Sequence, residues 1–136
     1  MRSHISFTVA AIAAAFIGGA NSVKADEAGE AEYMTACSTC HGAAGMGQGP
    51  LAEFMNVPVP DLRGLTVAND GVFPLLKVIH IIDGRTGVRG HGTSMPVWGD
   101  QFKAEVENEM GPYGSETYAR GKILSLAYYL ESIQEQ

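Results

Sequence analysis

Cys37, Cys40 and His41 fall together in the run Cys37-Ser38-Thr39-Cys40-His41. Two thiols separated by two residues can each add across a vinyl group of one haem and form two thioethers. The adjoining imidazole is then held beneath the ring, where a nitrogen can bind the iron. A bare C-x-x-C has other uses, and each needs something more. A dithiol redox pair needs a βαβ context, and no such pattern surrounds these residues. A closed zinc site needs two further N or S ligands. The chain has only two cysteines, and its other histidines are His4, His80 and His91. A single disulfide is the remaining alternative.

Iron held from one side by His41 calls for a ligand on the other, and the soft thioether of a methionine suits it and raises the potential. Met34 lies too near the attachment run to reach the opposite face, and Met46 is five residues past His41. Met55 falls in an expected short helix, where methionine is usually a packing residue. Met110 follows the charged stretch Glu105–Glu109. Met95 lies 54 residues beyond His41, far enough to cross the ring, within Gly90-His91-Gly92-Thr93-Ser94-Met95-Pro96-Val97-Trp98-Gly99. Pro96 fixes its own φ and restricts Met95 to extended conformations, which pre-orients a ligand. His80 and His91 are the rival ligands, and a bis-histidine iron would have a lower potential.

Helices must position these groups. Residues 26–37 read as a helix in which Gly29, Tyr33 and Cys37, at spacing four, share one face. A glycine there invites close approach of another helix. A second helix is expected over 116–133, with Ser115 as N-cap. Ile123, Leu126, Ala127, Leu130 and Ile133 form its apolar stripe of helical period. A third is expected over 72–83, with Pro74 in the first turn and Gly84 as the stop. It is apolar nearly all round and so should be well buried. Short helical turns are expected near 51–56 and 98–106. No alternating strand pattern appears, and the Gly- and Pro-rich middle predicts loops. The expected fold is all-α with long loops, and a haem macrocycle would supply the apolar surface that such loops wrap.

Residues 1–25 have the pattern of a secretory signal. Arg2 and His4 open it, Ile5–Ala20 is uncharged, and Val23-Lys24-Ala25 ends in a small residue before Asp26. The 16-residue uncharged run is short against the roughly 20 residues of a bilayer span. The expectation is cleavage, export to the periplasm and no stable membrane insertion of the mature chain. Residues 26–136 would then form one domain of 111 residues. Removing residues 1–25 takes away Arg2 and Lys24 and no acid. That leaves 7 basic and 15 acidic side chains, net −8, against −6 for the whole chain. Such a balance argues against nucleic acid as a partner and favours a partner with a basic docking face.

Taken together, the attachment run, Met95-Pro96 with Trp98-Gly99, and the two terminal helices resemble a class I cytochrome c over essentially all of residues 26–136. The resemblance implies a crossed pair of terminal helices. In it Gly29 and Tyr33 meet Leu126 and Tyr129. It implies one covalent haem c on Cys37 and Cys40, with His41 and Met95 on the iron. It also implies a proline carbonyl that accepts a hydrogen bond from the ligating imidazole, and Pro50, in Gly47-Gln48-Gly49-Pro50-Leu51, fits that place. The lysine ring of mitochondrial carriers has no counterpart here, because the chain has too few lysines. The function implied is single-electron transfer between a redox protein donor and an acceptor, as a free carrier or as the cytochrome subunit of a complex, and not catalysis on a substrate. The alternatives are an open-site or gas-binding haem protein and a non-haem thiol oxidoreductase using Cys37 and Cys40. Arg63, Arg85 and Arg89 are candidate neighbours of the haem propionates, or simply surface charges.

Overall fold

The computed structural model describes residues 25–85 and 95–135. Residues 1–24 of the expected signal segment, with Arg89 and His91, lie outside the described residues. Among the described residues four helices follow in order: α1 (Ala25–Ala36), α2 (Ser38–His41), α3 (Leu75–Asp83) and α4 (Trp98–Ser132). Short 3-10 turns at Ala52–Phe54 and Val67–Asn69 punctuate the long connection between α2 and α3. Among the described residues there is no strand, and the expected all-α architecture is the observed one.

α1 and the C-terminal half of α4 cross at Gly29. A Cβ at that position would overlap the Ser125 carbonyl oxygen and come within 2.8 Å of Tyr129 Cβ, so only glycine lets the backbones meet this closely. One turn on, the Tyr33 ring lies 5.1 Å from that of Tyr129, tilted by 44°. The expected partners are therefore in place. Tyr33, Leu126 and Ala127 are fully buried, and Ile123, Leu130 and Phe102 complete the same core. Truncating a side chain such as Leu126 to alanine would cost about 2–5 kcal/mol.

The last helix departs from expectation. Instead of a short turn at 98–106 and a separate helix from 116, helical structure begins at Trp98 and is broken only at Gly111 (φ 66, ψ −179). Pro112 then opens the second segment, where its missing N–H and fixed φ are no handicap. Ser115 is not an N-cap. It is buried inside the second segment, and its Oγ donates to the Pro112 carbonyl at 3.1 Å. Lys122 ties the two segments to α1. Its Nζ lies 2.9 Å from Glu32 Oε2 and 2.8 Å from Glu105 Oε2, and 4.5 Å above the Phe102 ring.

α3 starts at Leu75, with Pro74 just ahead of the first turn, and Gly84 (φ 81, ψ 17) ends it as expected, its N–H donating to the His80 and Ile81 carbonyls. Val78 and Ile82 pack into the core, but Leu76 and Ile81 are 65% and 43% exposed. A nine-residue helix lying against one neighbour, α4, buries one stripe at spacing four and leaves the opposite side outward.

Candidate functional site

Cys37 follows α1 directly, its N–H donating to the Tyr33 carbonyl at 2.8 Å. Ser38–His41 then make one more helical turn, with the His41 N–H donating to the Cys37 carbonyl at 2.9 Å. That turn sets both thiols and the imidazole on one short rigid element. Both cysteines are free and half-buried, and His41 is buried.

The loop beyond is folded back onto this turn. Gly47 N–H donates to the His41 carbonyl at 2.8 Å, Gly49 N–H to the Cys40 carbonyl at 3.0 Å and Leu51 N–H to the Thr39 carbonyl at 3.0 Å. The Tyr33 hydroxyl donates to the Gly42 carbonyl at 2.7 Å and so fastens the loop to α1. Burial pushes that phenol up to about 12, and it stays a donor at any ordinary pH.

His41 Nδ1 lies 3.3 Å from the carbonyl oxygen of Pro60, not of Pro50. This corrects the sequence reading. Residues 49–51 are committed to the backbone of the attachment turn, and Pro50 is exposed. The chain returns through Val57-Pro58-Val59-Pro60 and presents the later carbonyl. A carbonyl oxygen only accepts, so Nδ1 carries the proton and Nε2 carries the lone pair. Desolvation holds the imidazole below the usual histidine range, with the Pro60 contact opposing. His41 is thus neutral at neutral pH and has one nitrogen ready for a metal.

Burial, with Glu32 and Cys40 adding to it, pushes the Cys37 thiol up to about 12. A dithiol oxidoreductase needs a lowered thiol pKa to supply a thiolate, and Cys37 has the reverse. The buried Cys37 thiol, with Cys40 and the His41 imidazole on the same turn, makes a donor set that fits a covalent haem.

Met95 is half-buried and lies against the same core cluster that Cys37 borders, next to Trp98, which stacks on Phe102 at 5.6 Å. The base of its loop is pinned. The Val97 side chain presses on the Gly84 backbone, a Cβ at Gly99 would overlap Asp83, and Arg85 pairs with Asp83 and, at 3.1 Å, with Glu116. Arg63 pairs with Asp61 and Glu135, each at 2.7 Å. The other methionines differ. Met34, Met46 and Met110 are 46%, 40% and 52% exposed, and Met55 follows the 3-10 turn rather than lying within it.

The residue missed in the sequence is Pro60. The X-Pro repeat at 57–60, which forces extended backbone, was its available signal. Among the described residues, no helix is long and apolar enough to cross a membrane. The family model described as "Cytochrome C oxidase, cbb3-type, subunit III" matches residues 24–113. No curated protein and no solved structure matches the chain.

Proposed function

The chain belongs to this family of c-type cytochromes, whose work is haem-based electron transfer, and from that premise we propose that it is an exported single-electron carrier holding one haem c through Cys37 and Cys40. His41 and Met95 are the proposed iron ligands. The observation that carries this reading is the His41 contact: with Nδ1–H given to the Pro60 carbonyl at 3.3 Å, Nε2 is the free donor on the same turn as both thiols. When bound, the haem supplies a one-electron Fe(III)/Fe(II) couple.

The chain's own residues do the rest. Pro60 fixes the imidazole's tautomer and, by accepting its proton, makes it a better donor. Tyr33, Phe102 and Leu126 belong to the buried core against which Cys37 packs. Pro96 and the Gly84–Val97 contact hold the Met95 backbone in place. The signal-like residues 1–25 support a periplasmic setting, where c-type haem is attached. The acid excess supports a partner with a basic docking face. The family's description as an oxidase subunit supports work within a redox complex, alongside the free-carrier alternative.

The test is an absorption spectrum of exported, matured protein, oxidised and reduced, with and without carbon monoxide. Sharp reduced c-type bands unmoved by carbon monoxide, with a weak red methionine–ferric band when oxidised, are expected. A carbon monoxide shift would replace this reading with an open-site haem protein. Absence of haem bands despite working maturation machinery would end it.

A further inference from the structure

The Pro60 carbonyl that meets His41 sits in a segment, 60–66, that is held from two sides. On one side is the attachment loop. Leu62 N–H donates to the Gly45 carbonyl at 2.7 Å, and a Cβ at Gly47 would overlap the Val59 carbonyl oxygen and lie 3.1 Å from the Pro60 carbonyl carbon. On the other side is the end of α4. Gln134 Oε1 accepts the Thr66 N–H at 2.9 Å, and Gln134 Nε2 donates to the Leu62 carbonyl at 2.8 Å and to the Leu130 carbonyl at 2.6 Å. Glu135 adds a backbone N–H to the Arg63 carbonyl at 2.9 Å and a carboxylate to the Arg63 guanidinium at 2.7 Å.

One side-chain amide therefore spends its acceptor and both donors on a single junction. Its orientation is fixed by its partners, since Thr66 can only give a proton and the two carbonyls can only take one. Gln134 and Glu135 lie beyond position 113, where the family match ends. Resting on the proposed ligation by His41, we infer that Gln134 is a positioning residue for the iron's histidine: it anchors the 60–66 segment so that the Pro60 carbonyl stays on Nδ1, and so sets how strongly His41 donates to the metal.

The sign follows. A looser Pro60 carbonyl weakens the Nδ1–H hydrogen bond, Nε2 donates less, the ferric state loses more than the ferrous, and the potential rises. The test compares the matured holoprotein with Gln134→Ala, with the less disruptive Gln134→Met, and with Ile123→Val as an uncharged control that weakens the core elsewhere. The readouts are midpoint potential, exchange of the His41 Nδ1 proton by NMR in the reduced state, and thermal melting. Either Gln134 variant should shift the Fe(III)/Fe(II) equilibrium about threefold toward Fe(II) and speed the proton's exchange about tenfold. Ile123→Val should change melting alone. Unchanged potential and exchange in Gln134→Met, in a protein with normal haem bands, would overturn the inference while leaving His41 as ligand. The same shifts in Ile123→Val would overturn it too, by reducing the effect to general loosening. A wild-type protein without haem bands would overturn the proposed function, and this inference with it.

Discussion

His41 is useful because two of its atoms have different neighbours: one nitrogen is committed to a backbone carbonyl and the other is left to bind. Replacing the proposed far ligand should expose what the proposed near one does alone. Met95→Ala is expected to keep its covalent haem, bind carbon monoxide when reduced, lose the red ferric band and fall in potential; an unchanged spectrum and potential would remove Met95 as ligand. Cys37→Ala and Cys40→Ala should each lower covalent attachment, read as haem surviving denaturing electrophoresis, and full loading of both variants would contradict the attachment reading. The Cys37–His41 run stood out in the sequence because its proposed chemistry is carried by side chains at fixed spacing. Pro60 was hidden because its contribution is a carbonyl, which every residue owns. Only the return path of the chain, 19 positions on, decides which carbonyl arrives.

Between elements, the terminal helix crossing was legible from Gly29 and Tyr33, since a missing side chain and an aromatic one turn apart specify contact on one face. Gly29→Val should strain or part the helices, costing about 1–3 kcal/mol, read as a fall in melting temperature of several degrees. The extent of α4 was not legible, because residues 98–110 carry too many acids to show an apolar stripe. Its break, however, was written in Gly111-Pro112. Lys122 bridges that break to α1. Its carboxylate partners Glu105 and Glu32 hold its pKa above the usual lysine range, overcoming a larger single opposing effect, desolvation. A raised folded-state pKa gives stability that is complete below about 10.4 and is lost as pH climbs through the folded value. Lys122→Met should therefore cost on the order of 1–2 kcal/mol at pH 7, between the exposed and buried cases. The gap to wild type should stay level to about pH 10 and narrow only in stronger alkali. Denaturant titrations across that range would check both halves.

Over the whole molecule, net charge and composition speak about encounter rather than fold. With a formal charge of −6 across the full chain, electron transfer with a basic redox protein should slow as salt is added, while transfer with a small neutral reductant should not. Equal salt dependence with both would deny a charged docking face. α3 packs Val78 and Ile82 against the core and leaves Leu76 and Ile81 uncovered by protein, a division that its apolar composition does not record.

The meeting of Gly29 with Ser125 joins residues 96 positions apart, so it carries a kinetic consequence. Closing so long a stretch of chain costs loop entropy, and a fold built on such contacts should form more slowly than one built on local ones. Cys37 borders the core that this closure completes. A haem attached as proposed should therefore meet Cys37 more readily before the two helices close than after, when that thiol is half-buried against the core.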